Sequence, residues 1–281
     1  MKPSLFSAAL ISPFMLLCNF SNAQTDSVEK KDKVQFKLGV YYNTNLNYLG
    51  RTDSLRSSGF FPMAELWFGK HVYINTAPIF VHNKVQSFEY AGSVVTAGYM
   101  FNDQKKWMGN FYAMKPIYKD NSALVQSALQ AQVAGSLTFQ NKILNITGGG
   151  DVKFSNGVDF GATAGLDHIF KAILPGQSVL VIDPSVYVYA GTQKFTSTYY
   201  KNTSILGLPG AEQAISEKVN RFNVLSYEIS MPVVFAKGKF QFLVIPAYVR
   251  PENLVTIPGR PDLSERGDDM FYATIGAKVA F

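Results

Sequence analysis

The sequence contains very little cysteine and histidine. Its single cysteine, Cys18, lies in an apolar N-terminal segment that we expect to be removed, so the mature chain would carry no thiol. Disulfides, thiol catalysis and thiolate metal sites are thereby excluded. The three histidines, His71, His82 and His168, fall in different predicted turns and strands, which argues against a metal centre built from several histidines. We therefore expect neither a bound metal nor a cofactor.

Charge and long apolar runs are scarce as well. Charged residues make up 16% of the chain, against roughly 25% in an average soluble protein. The formal net charge of +6 falls to +5 without Lys2, which is too modest for a nucleic-acid-binding protein. Beyond the N-terminal segment, no stretch approaches the roughly 18 uninterrupted apolar residues of a membrane helix. Residence in a membrane would therefore require a barrel or attachment to the surface.

The N-terminus has the features of a secretory signal peptide. Lys2 supplies the basic region, residues 5–17 the apolar region, and Ser21-Asn22-Ala23 the small residues required for cleavage. We expect residues 1–23 to be removed and residues 24–33, which are polar and without periodicity, to form a flexible periplasmic lead-in. A lipoprotein acylated at Cys18 is the alternative, but Leu17 stands where that pattern requires a small residue.

The last segment, 270–281, is typical of a strand with one apolar and one polar face. Its odd positions are all apolar, and its even positions include Tyr272, Thr274, Gly276 and Lys278. An alternation of period two over a whole segment predicts a β-strand between two unlike environments. We expect this strand to close a barrel by pairing with the first strand, because closure leaves no unpaired edge.

Four residues of this segment resemble the C-terminal insertion signal of Gram-negative outer-membrane β-barrels. Thr274, Gly276, Val279 and Phe281 occupy its polar, glycine, hydrophobic and terminal aromatic positions, although an aromatic residue is often preferred where Val279 stands. The resemblance implies an integral outer-membrane protein inserted by the barrel-assembly machinery and surrounded by outer-membrane lipids and lipopolysaccharide. It identifies an architecture and a location rather than an activity.

The rest of the chain, 34–281, predicts a single all-β domain: a transmembrane antiparallel up-and-down β-barrel of about twelve strands. Aromatic residues, at 14% of the chain, suit strands and interfacial girdles. With the N-terminus in the periplasm, the periplasmic connections are all short and the three longest connections are extracellular, as in bacterial barrels. The predicted strands are about 34–47, 59–68, 72–81, 87–101, 107–118, 123–139, 143–154, 158–170, 179–199, 223–235, 240–250 and 270–281.

The alternation predicts which charged residues face the lumen. In a water-filled lumen they would form a mildly acidic path that favours cations or polar solutes. In a closed barrel they would pair with one another, and the protein would be a structural element. A barrel of this size lies between filled and open ones, so parity leaves both alternatives open. The lumen-facing candidates are Lys37, Glu65, Asp151, Lys153, Asp159, Asp167, Asp183, Glu228 and Lys278.

All six arginines lie in or beside predicted extracellular loops. They would contact lipopolysaccharide phosphates or gather anions at a basic rim, unless they are simply solvated loop charges. Trp67 and Trp107 fall at predicted periplasmic strand ends, where an interfacial girdle is expected. The predicted basic rim consists of Arg51, Arg56, Arg221, Arg250, Arg260 and Arg266.

Two classes of barrel enzyme are alternatives with weak support. A phospholipase would need a His and a Ser facing the lipid, but Asp167-His168 lacks the accompanying pattern. An aspartyl protease would need an Asp pair beside His82 and Glu89, and none is present there. We therefore expect no enzyme but a narrow channel for small polar solutes or ions, with a structural or adhesion barrel acting through its loops as the alternative.

Overall fold

The computed structural model describes residues 34–52, 55–103, 106–119, 129–155, 157–194, 219–256 and 264–281. The predicted signal peptide, the lead-in and Arg260 lie outside these residues. The strands are β1 (Val34–Asn43), β2 (Asn47–Tyr48), β3 (Arg51–Thr52), β4 (Ser58–Phe68), β5 (Val72–His82), β6 (Glu89–Asn102), β7 (Trp107–Tyr118), β8 (Ala131–Phe139), β9 (Asn145–Phe154), β10 (Val158–Asp167), β11 (Phe170–Leu174), β12 (Ser178–Ile182), β13 (Ser185–Gly191), β14 (Asn223–Ser230), β15 (Val233–Lys237), β16 (Phe240–Pro251) and β17 (Met270–Ala280).

These strands form a closed antiparallel barrel. Each wall strand pairs with its neighbour in the chain, and β1 pairs with β17 from Lys37 opposite Ala280 to Asn43 opposite Thr274. Three wall strands are interrupted into two segments each: β10 with β11, β12 with β13, and β14 with β15. Counting each of these as one gives twelve wall strands. The predicted all-β up-and-down barrel of about twelve strands is confirmed.

The interruptions coincide with prolines on neighbouring strands. Pro184 separates β12 from β13 and Pro232 separates β14 from β15, because proline has no N–H to give to the ladder. The carbonyl oxygens at the breaks still accept: Asp183 N donates to Pro232 O at 2.9 Å, and Met231 N donates to Pro246 O at 3.0 Å. The wall therefore stays continuous across the breaks.

The connections differ between the two ends of the barrel. At the end where β1 begins, called the lower end here, the turns are 69–71, 103–106, 140–144, 175–177 and 238–239. At the upper end the connections include 44–57, 192–222 and 252–269, the three longest. The orientation predicted from the sequence places the lower end at the periplasm. The first predicted strand ends four residues early, at Asn43, because the chain then turns inward into the β2–β3 hairpin.

The outer surface of the wall is apolar. On β1, Val34, Phe36, Leu38, Val40 and Tyr42 are all exposed, between 41% and 59%. The same holds around the wall, where alternate side chains of β5, β8, β10 and β16 are exposed and apolar. An apolar exterior over a polar or packed interior is the pattern of a barrel in lipid. Within the described residues, no helix is long and apolar enough to span a membrane.

The four residues of the predicted insertion signal lie along the seam between β1 and β17. Asn43 Nδ2 donates to Thr274 Oγ1 at 3.0 Å, and Phe281 N donates to Phe36 O at 2.8 Å. Gly276 lies opposite Tyr41, whose ring occupies the place of a side chain: a Cβ on this glycine would meet Tyr41 Cδ1 at 2.3 Å. Val279 lies opposite Leu38 on the same seam. The glycine is thus required by the aromatic ring that covers it.

Candidate functional site in the barrel lumen

One side of the lumen is lined mainly by polar residues and glycines, with the buried Leu225 of β14 as an aliphatic exception. We call this surface the polar wall; it consists of the inward-facing residues of β9, β10, β13 and β14. The strand register arranges them in rows from the lower end upward. The rows are Asn145, Asp167, Ser185 and Ser230; then Thr147, Gly165, Tyr187 and Glu228; then Gly149, Thr163, Tyr189 and Ser226; then Asp151, Gly161 and Gly191; and finally Lys153 and Asp159.

Glycines on the polar wall let larger side chains lie flat against it. A Cβ on Gly165 would meet the ring of Tyr187 at 2.1 Å, and a Cβ on Gly161 would meet the carboxylate of Asp151 at 2.3 Å. The rings of Tyr187 and Tyr189 stack with their centroids 6.2 Å apart. These side chains therefore cover backbone and do not project into the middle of the lumen.

The opposite side of the upper lumen is apolar and packed. We call it the apolar wall; its residues are all at most 8% exposed, and they form one hydrophobic cluster with Leu46 of the first loop. Because this side is filled by its own side chains, the room left in the lumen lies along the polar wall, where Asp151, Thr163 and Tyr187 are only half-buried. The apolar wall consists of Phe61, Met63, Ala77, Ile79, Val81, Ala91, Val94 and Met114.

A charged cluster lies in the lower lumen beside β1, β4 and β17. Lys278 Nζ and Glu65 Oε1 are 3.1 Å apart, and both side chains are at most 8% exposed. Trp67 Nε1 donates to Glu65 Oε2 at 2.8 Å, and Lys37 Nζ lies 4.4 Å from the centre of the Trp67 ring. Buried charges are tolerated when they are paired and hydrogen-bonded in this way.

Lysine also neutralises part of the polar wall. Lys153 and Asp151 form an ion pair near the upper end. Asp159 accepts hydrogen bonds from Thr192 Oγ1 at 2.6 Å and from the backbone N–H of Lys194 at 2.7 Å. These contacts hold the upper end of the polar wall in place.

The remaining acidic residues of the polar wall have different partners. Glu228 accepts a hydrogen bond from the hydroxyl of Tyr272 at 3.0 Å. Asp167 accepts one from Asn145 Nδ2 at 2.7 Å, and its carboxyl group is an electrostatic neighbour of that of Asp183. The structure thus places all nine lumen-facing candidates on the inner face, and it brings them together in groups rather than in one site.

The first loop folds into the upper mouth of the barrel and is held there by Arg51. This side chain is buried, and its guanidinium donates to Gln193 Oε1 at 2.9 Å, to Leu225 O at 3.1 Å and to Glu252 O at 3.0 Å. Its Nε lies 3.4 Å from a carboxylate oxygen of Glu265. Arg51 therefore does not belong to an exposed basic rim: it ties the first loop to both long upper connections.

Tyr48 places this loop against the polar wall. Its side chain is buried, and its hydroxyl lies beside the charged groups of Lys153 and Asp151. Burial raises the pKa of Tyr48 above its ordinary value of 10.0, so the phenol stays neutral beside the Lys153 and Asp151 pair. The loop thus narrows the lumen at the level of that pair.

The other rim arginines are exposed. Arg56 pairs with Asp268 at 2.7 Å, and Arg250 pairs with Glu252 at 3.0 Å. Arg221 and Arg266 are exposed at the upper end, while Arg260 lies outside the described residues. The neighbouring Asp269 accepts a hydrogen bond from Tyr248 at 2.7 Å.

The two tryptophans lie on opposite faces of the wall. Trp107 faces outward, 47% exposed, with its ring edge-on to Phe139 at 5.2 Å. Trp67 faces inward at 3% exposure, so its predicted place in a lipid-facing girdle is wrong. The physical reason is parity: Trp67 is two residues from Glu65 on one strand, and side chains two apart share a face.

The histidines lie far from one another. His71 Nδ1 is 2.9 Å from Met100 O in a lower turn, His168 packs edge-on against Phe170, and His82 is exposed at the end of β5. No group of three His, Cys, Asp or Glu residues suited to a metal ion occurs in the described part of the chain.

Neither the inward-folded loop nor the apolar wall could be predicted from the sequence. The hydrogen-bond acceptors of Arg51 outside its own loop lie between 142 and 201 residues away in the chain, beyond any local pattern. The glycine at position 50 was a local signal for a turn. In the structure its φ is +77°, and the turn packs against Pro251. That signal marks where the chain turns, not the direction in which the loop folds.

No protein-family model and no curated protein matches the chain. Among solved structures, it is similar to the KdgM porin, with a TM-score of 0.48 and 9% identity over 87% of this chain and 99% of that one. It is also similar to an outer membrane channel from Pseudomonas putida F1, with a TM-score of 0.46 and 10% identity over 92% and 99% of the two chains. For LpxR from Salmonella typhimurium the values are 0.45, 8%, 86% and 99%. At these values the comparisons assign no activity; the closed wall and the apolar exterior are those of a transmembrane β-barrel.

Proposed function

We propose that the barrel is a narrow channel that passes small polar solutes or ions across the outer membrane. The observation that carries the proposal is the polar wall, which runs along the lumen from Asp159 and Lys153 to Asp167 and is polar except for Leu225 near its upper end. Buried polar groups are costly unless they are paired or hydrated. A barrel that served only as a structural element would gain stability from an apolar interior on this side too.

The first loop supports a selective rather than an open path. Tyr48 lies on the Lys153 and Asp151 pair, and Arg51 holds the loop in the mouth through contacts with separate parts of the upper end. A solute entering from the upper end would pass beside this loop, along the part of the polar wall that Tyr48 does not cover. The path is therefore narrow, lined by charge and hydroxyl groups, and suited to small polar solutes.

Single-channel recording in a planar bilayer tests the proposal. The mature protein, refolded in detergent, is expected to give steady conductance, and Thr163→Trp is expected to reduce it strongly, because Thr163 faces the half-filled part of the lumen. Ala164→Trp is the matched control: the next residue faces the lipid, so conductance should be unchanged. Silence from folded wild-type protein, or equal effects of both variants, would contradict the proposal.

The alternative is a structural or adhesion barrel that acts through its upper loops. The Arg51 contacts favour this alternative because they join the upper loops into one ordered surface. Folded protein that binds a partner through this surface and conducts nothing would replace the channel proposal.

We propose no catalytic reaction for this protein. We do propose that it is exported by a signal peptide cleaved before Gln24, inserted by the barrel-assembly machinery and in contact with lipopolysaccharide. The intact mass of the protein recovered from outer membranes tests the cleavage position. A hydrolytic activity that depends on His168 or His82 would overturn the non-enzymatic assignment.

A further inference from the structure

We propose that Asp167 and Asp183 form a binding site for a hard divalent cation, of the class of Ca²⁺, in the lower part of the lumen. The two residues come from neighbouring strands: Asp167 ends β10, and Asp183 precedes β13, whose first residue, Ser185, pairs with Asp167. Asp167 is 7% exposed and Asp183 is 5% exposed. Their carboxyl groups are neighbours that interact electrostatically.

Two neighbouring carboxylates away from bulk water repel each other unless something positive lies between them. The polar contacts around them do not supply it. Asn145 donates to Asp167, and the nearest ionisable neighbour, His168, turns its ring toward Phe170. Asp183 Oδ1 is buried and has no hydrogen-bond donor among the described residues. The pair therefore presents an unused acceptor oxygen beside a second carboxylate.

Two other acids in this lumen have lysine partners that this pair lacks. Glu65 is paired with Lys278, and Asp151 is paired with Lys153. In the described residues, no lysine or arginine forms an ion pair with Asp167 or Asp183. A bound divalent cation would supply the missing positive charge, and its two charges would balance both carboxylates.

The surrounding atoms fit a hard cation rather than a soft one. Apart from the amide of Asn145, the neighbouring polar groups are oxygens: the hydroxyls of Ser185 and Ser230 lie 2.8 Å apart in the same row, and Tyr187 lies one row above. Oxygen ligands select Ca²⁺ or Mg²⁺, whereas Zn²⁺ prefers nitrogen and sulfur. With only two carboxylates, the dissociation constant is expected to be about 10⁻⁴ to 10⁻³ M.

Terbium luminescence tests the site directly. Tb³⁺ is a calcium-like probe whose emission is sensitised by a nearby tyrosine, and Tyr187 adjoins the pair. Mature protein refolded in detergent without lipopolysaccharide is titrated with Tb³⁺, and the bound ion is then displaced with Ca²⁺. Saturable emission is expected, with an affinity about tenfold weaker in Asp167→Asn and in Asp183→Asn. Tyr187→Phe should dim the emission while the Ca²⁺ needed for displacement stays the same.

Two controls separate this site from other acids. Asp151→Asn removes a lumen carboxylate that already has a lysine partner, and Asp268→Asn removes an exposed loop acid; neither is expected to change the affinity. Heat-modifiable migration on a gel verifies that each variant is folded. The proposal is overturned if folded wild-type protein gives no saturable signal, as expected if the pair merely shares a proton, or if the Asn variants bind as well as wild type.

This binding measurement does not depend on conduction, so it can succeed where the channel proposal fails. If the channel conducts, millimolar Ca²⁺ should lower the K⁺ current of wild type but not that of Asp183→Asn. Binding without any current would leave the site in place and refute the channel alone.

Discussion

The polar wall and the apolar wall are two sides of one barrel. Both have an apolar outer face, but their inner faces differ. On both, the outward residues are apolar and the pattern has period two. Inside, the apolar wall is filled with side chains such as Ile79, which is 1% exposed, while the polar wall carries glycines and half-buried polar groups such as Thr163. One side of the interior is therefore filled by apolar packing, and the other keeps polar side chains that are only partly buried.

The comparison also separates two kinds of buried charge. Near the lower end of β1, lysines lie close to Glu65, so the chain itself supplies the positive charge that balances this carboxylate. On the polar wall, Asp167 and Asp183 face each other without such a partner. Balanced pairs hold a structure together, whereas an unbalanced pair is suited to bind an ion.

The largest expected effect is a charge placed on the apolar wall. Ile79→Asp removes a fully buried side chain and leaves an unpaired carboxylate among Phe61, Met63 and their neighbours, which should cost at least about 4 kcal/mol. Thr163→Asp places the same charge on the polar wall and should cost about 1 kcal/mol or less. The measurement is the free energy of unfolding in urea, with the protein in detergent. Equal losses for the two variants would mean that the walls do not differ.

Removing Arg51 should have the next largest effect. Arg51→Ala leaves Glu265 buried without its cation and frees three acceptors, which should cost about 3 kcal/mol or more. The matched control is Arg56→Ala, whose pair with Asp268 is exposed, with an expected change of at most about 1 kcal/mol. Unfolding free energy and protease cleavage of the first loop are measured together. A loop that remains uncut in Arg51→Ala would show that other contacts hold it.

The strand pattern was readable from the sequence because it is a local property. Parity placed all nine charged candidates, from Lys37 to Lys278, on the inner face, and the period of the last segment located the strand that closes the barrel. The prediction for Trp67 was wrong because the interfacial preference of tryptophan was given more weight than the parity that Trp67 shares with Glu65. Parity is the stronger constraint, since a side chain cannot change face without a register shift.

The division of the lumen could not be read from the sequence, because it depends on contacts across the barrel. The residues that pack with Ile79 come from other strands and from Leu46 in the first loop. Arg51 looked like a solvated loop charge because Gln193, Leu225 and Glu252 are distant in the chain. Hydrophobic periodicity indicates on which face of a strand a side chain lies, but not which residues lie across the lumen from it.

A smaller effect is expected from the glycines that lie beneath aromatic rings. Gly165→Ala would bring a Cβ to 2.1 Å from the ring of Tyr187, so the ring must move, at a cost of about 1–3 kcal/mol. Gly148→Ala, on the lipid face, meets no atom within 4 Å and should change stability by less than about 1 kcal/mol, toward greater stability. Unfolding free energies test both. If conductance also falls in Gly165→Ala alone, the displaced Tyr187 ring enters the path.

The smallest effect concerns the contact between the first loop and the polar wall. Tyr48→Phe removes a buried hydroxyl beside Lys153 while Lys153 and Asp151 keep their ion pair, so the expected loss is about 1 kcal/mol. Tyr42→Phe is the control, because Tyr42 is 41% exposed on the lipid face of β1 and should tolerate the change. Because the loop stays anchored by Arg51, the mean conductance of Tyr48→Phe should stay close to wild type while its current fluctuates more. A large drop in stability would instead place the main anchor of the loop at Tyr48 and reduce Arg51 to a secondary contact.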